Sequence, residues 1–188
     1  MPPGATIWFT GLPAAGKTTL ARAVRQRLVT AGAPTCCLDG DELRLGLCAD
    51  LGFSPADRAE NVRRVAHVAS LLAGAGVVAL VSVISPYARD RAAARALHER
   101  AGLPFVVVWM SAPLSECEQR DPSGLYRRAR AGELAGVTGI DAPYEAPERP
   151  DLVVGVEPVE HAAERCVGIL DERGVQTGPP RLHLAEPA

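Results

Sequence analysis

The chain has 188 residues, of which 47% are hydrophobic and 22% charged, and its formal net charge is −2. The charge argues against a general nucleic-acid surface, which usually carries a strong basic excess. The longest apolar runs, such as GVVALVSVI at 76–84, are far shorter than the roughly 18 residues that span a bilayer. The length predicts one domain, over residues 1–174, followed by a flexible tail at 175–188 that ends in low-complexity sequence.

The compartment is predicted from the first residues and from the cysteines. The opening MPPGATIWFTG lacks the basic leader and the small-residue cleavage site of a signal peptide. The five cysteines are an odd number without a C-x-x-C pair, and we interpret them as reduced thiols. These features favour a cytoplasmic protein with no membrane partner.

Apolar β-type runs alternate with helical periodicity along the whole chain. The pattern predicts strands at 5–9, 35–39, 77–84, 104–110 and 151–155, separated by helices at 17–31, 55–74, 88–101, 113–120 and 158–172. The second of these helices has the clearest bounds, with Ser54 at the N-cap, Pro55 at the first position and glycines at 74 and 76. Strands that are apolar on both faces indicate an α/β fold with a parallel sheet covered by helices on both sides.

A glycine-rich loop joins the first predicted strand to the first helix. GLPAAGKT places Gly11, Gly16, Lys17 and Thr18 in the G-x-x-x-x-G-K-[ST] spacing, whose backbone amides cradle phosphates. The lysine reaches the outer phosphates, and the threonine hydroxyl is suited to Mg²⁺. The alternative is a plain strand-to-helix turn with an exposed lysine. Lys17 is the sole lysine beside 19 arginines, which favours a compact ammonium at a phosphate site.

Two aspartates follow the second strand in the segment LDGDELR. Phosphoryl transfer needs a carboxylate near the acceptor hydroxyl, and Asp39 and Asp41 are two residues apart. In a strand-like segment this spacing puts both side chains on one side. The alternative is that Asp41 only caps a short helix beginning near Glu42.

Arg44, Phe53, Arg58 and Asn61 offer two guanidinium groups, an aromatic ring and an amide downstream of these aspartates. Arginines suit phosphate or sulfate oxygens, and an aromatic ring can stack on a base. Taken singly, each residue is more often a solvated charge or a core aromatic.

The segment 120–141 combines four arginines with four glycines after the fourth strand. This composition is typical of a mobile cationic lid over a nucleotide, and we predict a lid at about 121–141. A solvated amphipathic helix is the alternative interpretation.

Four stretches together resemble the adenylylsulfate kinase family, over roughly residues 5–155 and in the same order. They are WFTGLPAAGKTTLA, LDGDELRLGLCADLGFSPADRAENVRRVAHVA, VSVISPYARDRAAAR and CEQRDPSGLYRRARAGELAGVTGIDAPYEAPERPDLVV. The resemblance implies a P-loop NTPase-type fold, three α/β/α layers around a five-stranded parallel sheet. It also implies transfer of the ATP γ-phosphoryl group, with Mg²⁺, to the 3′-hydroxyl of adenosine 5′-phosphosulfate (APS). A homodimer and a sulfate adenylyltransferase partner are implied in the same way.

The resemblance assigns roles to individual residues. Asp41 and Lys17 become catalytic, and Thr18 becomes a Mg²⁺ ligand, with Asp41 contributing through water. The expected ATP-binding residues are Gly11, Leu12, Pro13, Ala14, Ala15, Gly16, Lys17, Thr18, Thr19 and Arg120. The expected APS-binding residues are Asp39, Arg44, Phe53, Arg58, Asn61, Ile84, Ser85, Gly139 and Ile140.

The chain departs from the family pattern at a few positions. Val137 stands where an aromatic residue usually faces the adenine, and Glu42, Leu45 and Cys48 replace an Asn, a His and an Asn. These departures motivate one alternative, a related kinase acting on another nucleotide-like hydroxyl. A second alternative is a non-catalytic nucleotide-binding module, against which the intact Gly16, Lys17, Thr18 and Asp41 argue.

Overall fold

A computed structural model describes residues 3–178, which form five strands and seven helices. In chain order these are β1 (Ala5–Gly11), α1 (Lys17–Thr30), β2 (Thr35–Asp39), α2 (Gly40–Leu43), α3 (Pro55–Gly74), β3 (Val78–Ser82), α4 (Ala88–Arg100), β4 (Phe105–Met110), α5 (Leu114–Arg120), α6 (Leu125–Arg130), β5 (Leu152–Val154) and α7 (Val159–Glu172). Every predicted strand and helix is confirmed to within a few residues. The short helices α2 and α6 are additional. None of the helices in residues 3–178 is long and apolar enough to cross a membrane.

The five strands form one sheet in the order β2-β3-β1-β4-β5, and every neighbouring pair is parallel. This confirms the predicted α/β class and strand number. The first strand lies at the centre, between β3 and β4, and each of its seven residues is buried. Because its carboxyl end lies between strands reached from different parts of the chain, the loop that follows it opens into a crevice.

The alternating side chains of β1 divide the core into two layers. Ile7 and Phe9 belong to the cluster that contains residues of α1 and α7, whereas Trp8 packs in the cluster that contains residues of α3 and α4. Period-two alternation places these neighbours on opposite faces of the sheet. Helices therefore cover both faces, as the three-layer prediction requires.

The N-cap of α3 positions two residues of interest. The Ser54 hydroxyl accepts a hydrogen bond from the Asp57 amide at 3.1 Å and donates to the Asp57 carboxylate at 2.7 Å. This cap fixes where the helix begins. Arg58 and Asn61 consequently lie within its first two turns, on the buried side of the helix.

The last described residues bear on the predicted tail. Val175 is 5% exposed and belongs to the core cluster around α1 and α7. The packed region therefore reaches one residue beyond the predicted domain end at 174. Most of the predicted tail, from 179 to 188, lies outside the described residues.

Candidate active site

A cavity of about 910 Å³ opens at the carboxyl ends of the strands. Its volume is near the upper end of the range for small-molecule sites, about 300–1,000 Å³. Sixteen of the residues proposed from sequence line it, namely Pro13, Ala14, Ala15, Gly16, Lys17, Thr18, Thr19, Asp39, Asp41, Arg44, Phe53, Arg58, Asn61, Ile84, Ser85 and Arg120. The glycine-rich loop and the polar residues after β2 and β3 thus share one cavity.

The glycine-rich loop presents the N-terminus of α1 to this cavity. Gly16 occupies the N-cap position with φ of 93°, a left-handed conformation that glycine adopts without strain. The first hydrogen bond of the helix is donated by Leu20 to the Gly16 carbonyl at 3.0 Å. The amides of residues 17–19 precede that bond and are available to an anion, which the helix dipole also favours.

Lys17 lies inside this loop rather than in open solvent. Its Nζ donates to the carbonyls of Gly11 at 3.0 Å and Leu12 at 2.7 Å. Burial lowers the pKa of Lys17 from 10.5 to about 8, while Cys117, Asp41 and Asp39 act in the raising direction. The group is therefore a cation at neutral pH, held by weak neutral acceptors that phosphate oxygens can replace.

Thr18, Asp39 and Asp41 place three oxygen-bearing side chains beside the loop. The Thr18 hydroxyl donates to Asp39 Oδ2 at 2.6 Å. Mg²⁺ is usually bound through one or two carboxylates together with substrate phosphates, so this donor set fits the ion. Residues 3–178 contain no cluster of three or more His, Cys, Asp or Glu side chains that could hold a metal by themselves.

The local structure around Asp41 differs from both expectations. Asp39 ends β2 and its Oδ1 accepts from the Asp41 amide at 3.0 Å, so Asp39 is the N-cap of α2. The strand-like geometry expected for the two aspartates is wrong, because the chain turns into a helix between them. The alternative of a helix capped by Asp41 is also wrong, because Asp41 lies in the first turn. Both side chains nevertheless line the cavity.

Arg44 and Phe53 form a cation–π pair in the lining of the cavity. The Arg44 guanidinium lies 4.3 Å from the ring centroid of Phe53, and its Nη1 donates to the carbonyls of Leu51 and Gly52. The Phe53 side chain itself is 63% exposed. The Arg58 guanidinium lies 5.6 Å from the same centroid, so two cations are close to the ring, which stays exposed enough to meet a planar ligand.

Arg58 and Asn61 are buried polar residues on the cavity wall. Arg58 donates from Nε to the Phe53 carbonyl at 2.9 Å and from Nη2 to the Gly136 carbonyl at 2.7 Å. Its remaining N–H groups stay available, since a guanidinium has five. Asn61 is 7% exposed, and its Oδ1 has no hydrogen-bond partner among the described residues. A buried unpartnered amide oxygen costs free energy, which a ligand donor would recover.

Four predicted residues lie behind the cavity wall. Gly11 and Leu12 contribute carbonyls to Lys17. A Cβ on Gly139 would lie 3.0 Å from the Leu12 side chain, and Ile140 packs against the core. The first contact places Gly139 against Leu12 of the glycine-rich loop, whereas Ile140 contributes to the core. Val137 is also buried, at 6% exposure, in the same core cluster.

The predicted lid contains a short helix, α6, and its arginines differ in their surroundings. Arg120 lines the cavity. Arg130 instead pairs with Glu118 at 2.7 Å, and Arg128 lies 3.5 Å from Glu133. Of these three arginines, only Arg120, at the start of the segment, lines the cavity.

Sequence reasoning missed two parts of the cavity wall. Tyr126 lines the cavity, and its hydroxyl donates to the Pro13 carbonyl at 3.0 Å, which joins α6 to the glycine-rich loop. The loop after β5, including Gly155, Val156 and Glu157, also lines it. The rule that ligands bind beyond the carboxyl ends of parallel strands pointed to this loop, whereas the Tyr126 contact carries no local sequence signal.

Comparisons with known proteins agree over most of the chain. The family profile described as adenylylsulphate kinase matches residues 3–155. The adenylyl-sulfate kinase of Paraburkholderia xenovorans is 52% identical over 177 residues, which cover 93% of this chain and 97% of that protein. The bifunctional enzyme CysN/CysC of Mycobacterium tuberculosis is 50% identical over 171 residues, or 90% of this chain. The matched region spans only 28% of that bifunctional relative.

A solved structure extends the likeness to three dimensions. The Mycobacterium tuberculosis APS kinase CysC, in complex with AMPPNP and APS, superposes with a TM-score of 0.87 at 49% identity. The match covers 91% of this chain and 99% of that chain. Sequence and fold similarity therefore both include the segments that build the cavity.

Proposed function

The chain belongs to the adenylylsulfate kinase family, and from this membership we propose that it phosphorylates the 3′-hydroxyl of APS with ATP. The γ-phosphoryl group passes from ATP to the hydroxyl oxygen, ADP leaves, and the hydroxyl proton is released. The observation that carries the proposal is the shared cavity, in which a phosphate-binding loop faces a carboxylate and two buried polar groups. A donor and an acceptor can be held there side by side, which is most of what phosphoryl transfer requires.

The donor side rests on the glycine-rich loop. Amides at the start of α1 and the Lys17 ammonium bind the phosphates of ATP. The Thr18 hydroxyl and the Asp39 carboxylate would hold Mg²⁺, with Asp41 contributing only through water, and when bound the ion neutralises phosphate charge. Arg120, at the edge of the cavity, adds a cation near the same phosphates or the donor base.

The acceptor side rests on Asp41 and the wall formed by α3. Asp41 orients the 3′-hydroxyl and accepts its proton as the phosphoryl group arrives. The free donors of Arg44 and Arg58 suit the phosphosulfate oxygens, and the Asn61 carbonyl oxygen is suited to a donor elsewhere on the acceptor, such as a ribose hydroxyl or the adenine amino group. The exposed ring of Phe53 stacks on the adenine.

One observation favours an alternative substrate as the phosphoryl acceptor in place of APS. Val137 is packed in the core rather than on the cavity wall. Of the two positions expected to contact the acceptor base, only Phe53 therefore offers an aromatic ring for stacking. Loss of one stacking partner costs about 1–3 kcal/mol per base. A different nucleotide-like hydroxyl compound is therefore the competing substrate.

The wider context of the enzyme is also a proposal. The bifunctional relative supports physical association with a second enzyme, and we expect a sulfate adenylyltransferase in that role. We also expect a homodimer. The five free cysteines fit a reducing compartment, so the cytoplasm remains our expectation.

The test is ADP release measured with and without APS. We expect ADP release that depends on APS, with Asp41→Asn lowering kcat about a hundredfold because the base is lost. ATP affinity should be nearly unchanged in that variant, since the phosphate loop is intact. A clear kcat/KM preference for another adenosine 5′-derivative would favour the second acceptor. Lys17→Ala at full turnover would contradict both.

A further inference from the structure

Arg91 is a buried cation on α4 that the proposed mechanism does not use. It is 5% exposed, and burial lowers its pKa. Its fork binds two backbone carbonyls, with Nη1 donating to Ser85 at 2.6 Å and Nη2 donating to Glu145. The guanidinium also lies 5.7 Å from the ring centroid of Tyr144. Burying a cation costs free energy, and the two carbonyls compensate part of that cost. The positions of these carbonyls show which segments Arg91 joins.

The first carbonyl belongs to a strained residue on the cavity wall. Ser85 has φ of 41°, in the left-handed region that non-glycine residues rarely adopt. Its hydroxyl accepts from Trp8 Nε1 and donates to Thr10 Oγ1, both at 3.0 Å. Strain of this kind persists only where the surroundings fix it. The Arg91 bond adds a charged donor to the two bonds from β1.

The second carbonyl belongs to the segment that follows the predicted lid. The Glu145 amide donates to the Pro86 carbonyl at 2.8 Å, and the Glu145 carboxylate accepts from the Ala88 amide at 2.6 Å. The Tyr144 hydroxyl lies 3.1 Å from Thr10 Oγ1. Because Thr10 already donates to the Ile84 carbonyl at 2.7 Å, Tyr144 is the donor in that pair.

The residues just before Tyr144 also contact the acceptor side of the cavity. Asp141 accepts from the amides of Gly136 and Val137, both at 2.7 Å, which closes a tight turn. The Gly136 carbonyl accepts from Arg58. Residues 136–145 therefore run from a phosphosulfate-binding candidate to the wall at residues 84–86.

We propose that Arg91 is a positioning residue that fastens the segment after the predicted lid, at residues 144–145, to the acceptor-pocket wall at residues 84–86. The inference rests on the proposed function, because it assigns the wall to the acceptor nucleotide. Arg91 holds the strained Ser85 backbone and residues 144–145 in one arrangement, so the acceptor site is preformed when its substrate arrives. A lysine cannot reproduce this, since its single ammonium lacks the fork that meets two carbonyls.

The test compares two arginines of α4. Arg91→Met keeps the length of the side chain and removes its donors. Arg95→Met is the matched control, because Arg95 binds the Phe105 carbonyl and Asp151, away from the cavity. We expect Arg91→Met to raise KM for APS about tenfold and to leave KM for ATP within about twofold. Arg95→Met should leave both values within about twofold, although it loses an ion pair.

Amide hydrogen exchange on the substrate-free protein separates this proposal from the proposed function. Exchange at residues 84–88 and 136–145 should accelerate in Arg91→Met and not in Arg95→Met. If the unaltered enzyme shows no APS-dependent turnover, the proposed function fails. The amide-exchange rates at residues 84–88 and 136–145 then test by themselves whether Arg91 joins these two segments.

Two results would overturn the role of Arg91. One is unchanged exchange in these segments, and the other is an equal rise in KM for ATP and APS. If Arg91→Met does not fold, Tyr144→Phe tests the same attachment of residues 144–145, because it removes only the hydrogen bond from the Tyr144 hydroxyl to Thr10. Tyr144→Phe should raise KM for APS about threefold, and an unchanged value would count against the proposal.

Discussion

Lys17 shows how one residue is prepared for a ligand by its surroundings. Burial lowers the pKa of Lys17 to about 8 although two aspartates oppose the shift. Near pH 8, therefore, about half of the free protein lacks the proton that phosphate binding needs. Bound phosphates favour the ammonium and raise its pKa again.

This predicts a pH dependence of ATP affinity. Above about pH 8 the free protein must take up a proton to bind ATP, so the apparent Kd should rise by up to tenfold per pH unit. Titration calorimetry in two buffers with different ionisation heats would detect the proton uptake. Lys17→Arg is the control, because a guanidinium stays charged throughout this range. A flat Kd between about pH 7.5 and about pH 9.5 would contradict the prediction.

Residues whose chemistry demands a specific type and spacing could be predicted from the sequence. Gly16, Lys17 and Thr18 are of this kind, because a phosphate loop tolerates few alternatives. Tyr126 is not, since its contact with Pro13 depends on how α6 packs against a loop more than a hundred positions earlier. Asp41 is intermediate. Its place in the cavity was predicted, but its helical backbone depends on the cap supplied by Asp39.

At the scale of the element, α3 connects local sequence to the acceptor side of the cavity. Its first two turns carry Arg58 and Asn61, and its start is fixed by the Ser54 cap. Cap, proline and following acidic residue are all local signals, which is why this helix could be predicted closely. The lid could be predicted only in outline, because its ion pairs and turns depend on partners outside the segment.

We expect Ser54→Ala to affect both stability and acceptor binding. Loss of the cap should lower the free energy of unfolding by about 1 kcal/mol and fray the turn that carries Arg58. KM for APS should then rise a few-fold while KM for ATP stays constant. Urea denaturation and steady-state kinetics would measure these effects. Ser70→Ala, in the interior of the same helix, should lower neither stability nor APS affinity, and equal losses in both variants would argue against the cap.

At the scale of the whole molecule, the alternation of strands and helices predicted a parallel sheet but not its strand order. The order β2-β3-β1-β4-β5 places β1 in the centre, and this depends on which helices pack on each face. Periodicity along the chain does not encode that choice. The cavity lies where the parallel arrangement brings the carboxyl ends of the strands to one edge, and the order determines which of those ends are neighbours.

A histidine in the interior links folding of the whole chain to pH. His98 is fully buried, hydrogen bonded to Thr6 at 2.9 Å and to the Ala94 carbonyl at 2.8 Å. Burial lowers its pKa below the ordinary 6.5. Below about pH 6.5 the unfolded chain binds a proton that the folded chain resists, so stability falls as the pH decreases towards the folded pKa.

The loss should reach up to about 1.4 kcal/mol per pH unit in that window. Urea denaturation at a series of pH values would measure it, and His98→Gln should flatten the dependence. An unaltered slope in His98→Gln would assign the effect to other groups.

The single lysine also gives the protein an unusual chemical selectivity. Reagents that acylate primary amines ordinarily react with many surface lysines, but the 188 residues contain one lysine side chain, Lys17. Because its pKa is lowered, Lys17 is a nucleophilic free amine in a fraction of the molecules in mildly alkaline solution. Acylation at this one internal position therefore reports directly whether the loop holds a nucleotide.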